Sequence, residues 1–241
     1  CANALLAIGA SPIMADDILE AAEITSISKA LVINIGTLNQ RTIESMIASG
    51  KKANELGIPI VFDPVGAGAS QLRNDTVKMI LNNIKVSIIR GNLSEMSYIA
   101  GMNVSTKGVD SSDADADKDA VDVAKKVAIK YNCVAGITGA VDVISDGNRV
   151  AKLSNGDKLL SKVTGTGCMT SAIVGGFAGT ANMCKGYDYF HATVAGIASM
   201  GISGELALEY AEKGTGSYHI AVINELSKLN ENVINAMIKL S

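Results

Sequence analysis

The stretch "IPIVFDPVGAG" (residues 58–68) determines the fold class, because a short apolar run directly precedes a glycine-rich loop. The run 58–63 is rich in β-branched residues and does not alternate with polar ones, which is typical of a strand buried on both faces of a parallel sheet. In the loop, Pro64 fixes the backbone, while Gly66 and Gly68 let it approach a ligand closely. An ordinary strand-to-helix turn has the same composition, so the loop alone leaves a structural and a binding interpretation equally open.

Similar apolar runs recur through the first two thirds of the chain. They are "ALVINIG" (30–36), "KVSIIR" (85–90) and "NCVAGITG" (132–139). Helix-length segments separate the four runs, at residues 39–57, 74–84, 92–101 and 117–132. This alternation predicts an α/β fold with a doubly wound, mostly parallel sheet, right-handed crossovers and flanking helices.

The pattern changes after residue 139. Residues 141–155 alternate between apolar and polar types around Asp146-Gly147, which predicts a β-hairpin. Beyond Gly165 the pattern is almost entirely helical. No linker rich in Pro or Ser divides the 241 residues, so the sequence predicts a single domain over 1–241 whose C-terminal third is mainly helical.

Composition excludes several kinds of partner. The net charge is −3 and no basic run occurs, so neither nucleic acid nor an anionic membrane surface is expected. Residues 163–184 carry no charge, but their many Gly, Ser and Thr residues favour a buried helix over a membrane span. The four cysteines form no close pair, which indicates a reducing cytoplasm and, at Cys133 and Cys184, buried free thiols.

The acidic stretch "DSSDADADKDAVD" (110–122) has the alternating Asp residues of a calcium loop. Counted from Asp113, the sixth position is Lys118 instead of Gly, and the twelfth is Ala124 instead of Glu. The calcium motif therefore fails. Asp residues ahead of a helix cap its first turn, so we interpret the stretch as a solvated helix start.

Two further loops follow predicted strands. In "RGNLSE" (90–95), Asn92 and Glu95 have the spacing of a capping box, in which the Glu95 side chain accepts from the Asn92 N–H. Alternatively, Glu95 organises a hydrated Mg²⁺ and Arg90 reaches phosphate oxygens. Spacing alone favours the cap. In "GITG" (136–139), the Thr138 hydroxyl suits a phosphate contact or a turn equally well.

The stretch "KVTGTGCMTSAIVGGFAG" (162–179) places a thiol where a glycine-rich turn opens a helix. It fails as a dinucleotide fingerprint, because Thr170 occupies the third glycine position, and it has no Gly-Lys-Ser/Thr of a Walker A loop. What remains is an anion hole at a helix N-terminus, with Cys168 in the first turn. The alternative is a small buried residue that serves packing.

Six motifs, in order, together resemble the hydroxyethylthiazole kinase family of thiamine salvage. They are "ASPIMAD" (10–16), "VINIGTL" (32–38), "FDPVGAGAS" (62–70), "IRGNLSEM" (89–96), "GITG" (136–139) and "KVTGTGC" (162–168). The resemblance covers nearly the whole chain. It implies a ribokinase-like fold, ATP-dependent phosphorylation of the primary alcohol of hydroxyethylthiazole, and a cytoplasmic homotrimer with active sites between subunits.

Matched residue by residue, the resemblance implies that Met14 and Gly165 line the thiazole pocket. It also implies that Arg90 and Thr138 contact ATP. Family members have a leading strand and turn that this sequence lacks, so we expect further residues before Cys1.

The resemblance also implies the roles of three reactive side chains. Asp63 and Glu95 would organise Mg²⁺ and the phosphates, through water or phosphate oxygens. Cys168 stands where most ribokinase-like kinases have an aspartate base. Phosphoryl transfer needs little base strength, and a thiol with a pKa of about 8.5 is only a few per cent ionised at neutral pH. We therefore expect the anion hole to dominate catalysis, with Cys168 accepting or orienting the alcohol proton.

Other functions remain open on the sequence alone. One is a ribokinase-like kinase for another small alcohol, such as hydroxymethylpyrimidine. Another is a transferase with Cys168 as nucleophile, which would need His191 or His219 as a partner. A third is a protein that binds nucleotide without turnover.

Overall fold

Six strands form one sheet at the centre of the computed structural model, which describes residues 1–102, 113–181, 183 and 185–241. The strands are β1 (Leu31–Asn34), β2 (Ile60–Asp63), β3 (Ile88–Asn92), β4 (Val134–Thr138), β5 (Asp142–Ser145) and β6 (Val150–Leu153). All four apolar runs and both arms of the hairpin are strands, as predicted. Two predicted features, the buried thiol of Cys184 and the first residues (110–112) of the acidic stretch, lie outside the described residues.

The sheet is mostly parallel, as the unalternating runs predicted. Strands β1 to β4 pair in parallel, and β5 and β6 add an antiparallel hairpin. The hairpin turns at Gly147, whose φ of 97° is accessible to glycine. The carboxylate of Asp146 accepts from the backbone N–H groups of Asn148 and Arg149, at 2.9 and 2.7 Å, which fixes the turn.

Ten α-helices are described around the sheet. They are α1 (Ala2–Ala7), α2 (Ala21–Ser26), α3 (Gln40–Leu56), α4 (Gln71–Asn83), α5 (Leu93–Ala100), α6 (Asp113–Tyr131), α7 (Thr166–Ala178), α8 (Tyr189–Leu206), α9 (Thr215–Leu226) and α10 (Glu231–Met237). Side-chain caps set where several begin, among them Asn39 for α3, Ser70 for α4 and Asn92 for α5. The C-terminal third is mainly helical, as predicted.

Successive strand residues face two different apolar layers. Phe62 belongs to the layer formed with α3, α4, α5 and α6, whereas its neighbour Val61 belongs to the layer formed with α7 and α8. The strand order follows the chain order without a reversal, so the doubly wound part of the prediction is wrong. The crossover elements share one layer, and helices of the C-terminal third cover the second face.

Helices α7 and α8 pack at unusually close range because small residues line their contact. A Cβ on Gly196 would lie 2.8 Å from the Cα of Val174, so only glycine fits there. Within the charge-free segment, residues 166–178 form a largely buried helix, as predicted. No helix in the described part of the chain is long and apolar enough to span a membrane.

Candidate active site

The carboxyl ends of three parallel strands bring the predicted polar residues to one edge of the sheet. Asp63 ends β2, and Thr138 ends β4 directly opposite Asn92 of β3. The N-terminal part of α7 reaches the same edge, since Ser171 of α7 donates to Asp63 and Arg90 of β3 donates to the Gly167 carbonyl. Four segments far apart in sequence therefore converge at one place, which is where ligands bind in open α/β sheets.

Asp63 is held rigidly and almost completely buried, with 1% of its surface exposed. Its Oδ2 accepts from Asn34 Nδ2 and from Ser171 Oγ, both at 2.8 Å. Burial raises the pKa of this carboxyl, and the nearby Glu95 charge raises it further, whereas Arg90 and the two hydrogen bonds lower it. Both described hydrogen bonds use Oδ2, so Oδ1 is the oxygen available to a ligand.

Glu95 forms the predicted capping box at the start of α5. Its Oε2 accepts from the Asn92 N–H at 2.8 Å, and Asn92 Oδ1 accepts from the Glu95 N–H at 2.9 Å. The other oxygen, Oε1, accepts from the Gly66 N–H at 2.8 Å. Glu95 thus caps its own helix and also holds the glycine-rich loop after β2, which the spacing did not predict.

Arg90 connects two of the predicted phosphate-contacting segments. Its Nη1 donates to the Gly167 carbonyl at 3.0 Å, and its Nη2 donates to Thr138 Oγ1. The side chain is 9% exposed, and among the described residues its buried Nε has no hydrogen-bond partner. An unpartnered buried donor is uncommon, and an anionic oxygen would satisfy it.

The turn that opens α7 has the geometry expected of an anion hole. Gly165 adopts a left-handed conformation with a φ of 87°, and no side chain among the described residues caps the helix. The free N–H groups of the first turn and the helix dipole therefore favour an anion. Cys168 is the third residue of α7 and its thiol is half-buried and free.

Comparison with known proteins agrees with this geometry. The model of the Hydroxyethylthiazole kinase family matches residues 1–232. This chain belongs to the hydroxyethylthiazole kinase family. It is 66% identical to a hydroxyethylthiazole kinase from Ruminiclostridium cellulolyticum over 235 residues, which are 97% of this chain and 84% of that one. The predicted resemblance is confirmed.

Solved structures confirm the ribokinase-like fold. The hydroxyethylthiazole kinase structure from Pyrococcus horikoshii OT3 superposes with a TM-score of 0.88 at 38% identity, covering 100% of this chain and 87% of that one. A ribokinase-like superfamily protein from Enterococcus faecalis has a TM-score of 0.58 at 10% identity, covering 87% and 66%. The second similarity concerns the fold alone.

Not every residue predicted from the family lies at this edge of the sheet. Met14, expected in the thiazole pocket, lies in an irregular segment with 79% of its surface exposed. No described hydrogen bond joins His191 or His219 to Cys168. His191 Nδ1 instead lies 2.8 Å from Asp188 Oδ1 at the start of α8. Within the described contacts, the thiol of Cys168 therefore has no histidine partner.

Three residues at the site were not predicted from the sequence. Asn34 and Ser171 hold Asp63, and Asp142 accepts from the Gly139 N–H at 3.0 Å beside Thr138. Burial raises the pKa of Asp142 to about 7, against the lowering effects of the Gly139 hydrogen bond and the Arg90 charge. Asn34 and Ser171 act through tertiary contacts, whereas Asp142 contacts Gly139 within a local turn. Among the three, only the position of Asn34 at a strand end offered a sequence signal.

Asp142→Asn is expected to stabilise the protein at pH 8 by up to about 4 kcal/mol. Asn can still accept from the Gly139 N–H, but it carries no charge to bury. In the folded protein the pKa of Asp142 is about 7, above its ordinary value of 3.8. The stability of the wild-type protein therefore falls as pH rises between those values. The gain from the substitution should therefore be smaller at pH 5 than at pH 8.

Denaturant unfolding of both proteins at the two pH values measures this difference. Exposed Asp16→Asn provides the control, since the one ion pair described for its carboxylate is a long surface contact with Arg41, at 3.8 Å. An equal effect of Asp142→Asn at pH 5 and pH 8 would contradict the assignment.

Proposed function

We propose that this chain transfers the γ-phosphoryl group of ATP to the primary alcohol of hydroxyethylthiazole, in thiamine salvage. The observation that carries the proposal is the convergence of the uncapped α7 N-terminus with Asp63, Glu95 and Arg90. Family membership supports both the phosphoryl donor and the acceptor.

The proposed step is a single displacement at the γ-phosphorus. The alcohol oxygen bonds to phosphorus, the bond to the bridging oxygen breaks, and ADP leaves with that electron pair. The alcohol proton passes to Cys168 or to solvent. The free N–H groups of the first turn of α7 stabilise the charge on the transferring group, where positioning and charge stabilisation dominate the barrier. Arg90 and Thr138 contact ATP in this proposal.

Asp63 and Glu95 fit a magnesium ion that phosphate oxygens share. Carboxylate oxygens suit Mg²⁺, which retains several waters and uses only one or two carboxylates beside substrate phosphates. Within the described residues, no cluster of three or more acidic, His or Cys side chains could hold a metal alone. A site shared with phosphate agrees with that finding. Bound Mg²⁺ would neutralise charge developing between the β- and γ-phosphates.

A phosphorylation screen tests the proposal directly. Purified protein with ATP and Mg²⁺ is offered hydroxyethylthiazole, hydroxymethylpyrimidine, ribose and adenosine, and ADP release is measured for each. We expect the thiazole alcohol to give the highest kcat/KM. Preference for another alcohol would overturn the substrate assignment. ATP binding without turnover of any alcohol would identify a nucleotide-binding protein instead.

The proposal extends to a single cytoplasmic domain over 1–241 that assembles as a homotrimer with active sites between subunits. Large apolar side chains are exposed along the N-terminal segment, at Leu6, Ile13, Met14, Ile18, Leu19 and Ile27. An apolar surface of this extent favours a covering partner. Met14 and Gly165 would line the thiazole pocket only once another copy covers this segment.

Light scattering is expected to give three times the monomer mass, and Leu19→Asp should dissociate the assembly. Leu19 is 91% exposed, so a charge there is tolerated by the monomer and disfavoured only in an interface. Ile129→Asp on α6 is the control, since this exposed side chain lies outside the N-terminal segment. A fully active wild-type monomer at assay concentration would refute the trimer.

A further inference from the structure

Arg73, in the first turn of α4, joins the two loops that follow β1 and β2. Its Nη1 donates to the carbonyls of Ile35 and Val65, both at 2.5 Å, and its Nη2 donates to the carbonyl of Gly36 at 3.0 Å. Arg73 is half-buried, and its guanidinium forms no ion pair among those described for this chain. Three backbone carbonyls therefore take the place of a carboxylate partner.

The contact at Val65 connects Arg73 to Glu95 through one peptide group. The carbonyl of Val65 and the N–H of Gly66 belong to the same peptide unit. Arg73 donates to its oxygen, and Glu95 Oε1 accepts from its nitrogen at 2.8 Å. A cation at one end and an anion at the other polarise the peptide in the same direction, so each hydrogen bond strengthens the other.

Gly66 is fitted to this arrangement in two ways. Its φ of 73° lies in the left-handed region that favours glycine. A Cβ at this position would also lie 3.0 Å from Arg73 Cδ and 3.1 Å from Nε. The peptide unit between Val65 and Gly66 therefore lies directly against the arginine side chain.

The contacts at Ile35 and Gly36 connect Arg73 to Asp63. Asn34 directly precedes Ile35, and its Nδ2 donates to Asp63 Oδ2 while its Oδ1 accepts from the Gly36 N–H, both at 2.8 Å. Fixing the carbonyls of residues 35 and 36 fixes the backbone that carries Asn34. Arg73 thus supports Asp63 through one loop and Glu95 through the other.

We propose that Arg73 is a positioning residue that sets the relative placement of the Asp63 and Glu95 carboxylates for the phosphoryl-transfer reaction. This inference rests on the proposed function. Among the described contacts, Arg73 meets neither carboxylate directly, so its effect on them is transmitted through the backbone of the two loops. A small displacement of groups that stabilise developing charge lowers kcat strongly, because their alignment is what lowers the barrier.

Two substitutions of Arg73 test the proposal against wild type. Arg73→Met removes all three hydrogen bonds and is expected to lower kcat about 10²-fold, with the KM for the alcohol changed less than threefold. Arg73→Lys keeps the charge but offers a single nitrogen, which cannot reproduce the fork of hydrogen bonds that Nη1 and Nη2 form. We therefore expect an intermediate loss of kcat, of about tenfold. Both variants should also need a higher Mg²⁺ concentration for half-maximal activity.

Hydrogen–deuterium exchange of residues 60–70, with calorimetry of ATP binding in the presence of Mg²⁺, gives readouts besides activity. Exchange in this segment should accelerate in both variants, and ATP should bind more weakly when Mg²⁺ is present. Ile80→Val is the matched control, since it loosens the buried side of α4 and leaves the fork intact. This control should lower the melting temperature without changing kcat.

The outcomes separate this inference from the proposed function. Unchanged kcat in folded Arg73→Met, or in Arg73→Lys if the Met variant does not fold, overturns the positioning role. Faster exchange with unchanged kcat and ATP binding overturns it as well, since Arg73 then orders the loops alone. A wild-type protein that phosphorylates no alcohol refutes the proposed function, and exchange and ATP binding of the variants then decide the role of Arg73.

Discussion

Asp63→Asn is expected to lower kcat by at least about 10²-fold while raising the free energy of unfolding at pH 8. The activity falls because the carboxylate proposed to organise Mg²⁺ and phosphate loses its charge. The fold is retained because the Asn side-chain oxygen can accept from Asn34 and Ser171 in place of Oδ2. Opposite changes in activity and stability are typical of a charged group held buried for function.

The stability difference between Asp63→Asn and wild type should depend on pH. Burial raises the pKa of Asp63 in the folded protein above its ordinary value, so the folded state binds more protons in the range between the two. Wild-type stability therefore falls as pH rises through that range. Asp63→Asn removes this contribution, and its advantage over wild type should grow with pH.

Steady-state kinetics and denaturant unfolding of the same preparation test both parts. Ser171→Ala is the matched control, because it removes one hydrogen bond to Asp63 and leaves the charge. We expect it to reduce kcat far less than Asp63→Asn. Activity of Asp63→Asn within tenfold of wild type, at unchanged Mg²⁺ demand, would contradict a role for this carboxylate with metal and phosphate.

The strands and most helices could be predicted because their signals are local. β-branched runs without alternation, such as 58–63, become central strands, and Asn92 with Glu95 forms the capping box that the spacing indicated. Strand order could not be predicted, since it depends on which face each connection crosses. The layer formed by α7 and α8 requires close packing at Gly196, which no local pattern reveals.

The difference between local signals and long-range contacts also explains which site residues could not be predicted from the sequence. Arg73 meets Gly36 across 37 residues, and Ser171 meets Asp63 across 108, so neither contact has a sequence signature. On the sequence alone, capping of α5 and organisation of Mg²⁺ are alternative roles for Glu95, but one side chain can serve more than one role. Its two oxygens accept from two different backbone N–H groups, and Glu95→Gln would place a donor against one of them. That variant therefore perturbs the loop as well as the charge, which makes Asp63→Asn the cleaner test.

Replacing Cys168 is expected to separate a proton acceptor from a nucleophile. Cys168→Ser should lower turnover by about 10²-fold without abolishing it, because the serine hydroxyl ionises less readily and general-base assistance contributes about 10²–10⁴-fold. The N–H groups of the first turn of α7 remain in place and still stabilise the transferring phosphoryl group.

Cys168→Asp is the sharper variant. A carboxylate with an ordinary pKa of about 3.9 is ionised at neutral pH and accepts a proton readily, so we expect turnover within about tenfold of wild type. Position 168 is the third residue of α7, where a negative side chain is favoured by the helix dipole, and the helix should form normally.

A nucleophilic mechanism predicts the opposite result, because neither replacement carries the thiol that would form the covalent intermediate. Steady-state turnover of the folded Ser and Asp variants, at saturating ATP and thiazole alcohol, decides between the two mechanisms. Thiol alkylation supplies the control: Cys168→Asp keeps Cys1, Cys133 and Cys184, so resistance of its activity to alkylation assigns any wild-type inactivation to Cys168.

If both variants bind ATP normally and neither turns over, Cys168 is a nucleophile or an irreplaceable base. If Cys168→Asp is active, the anion hole supplies most of the rate enhancement and any suitably placed proton acceptor completes it.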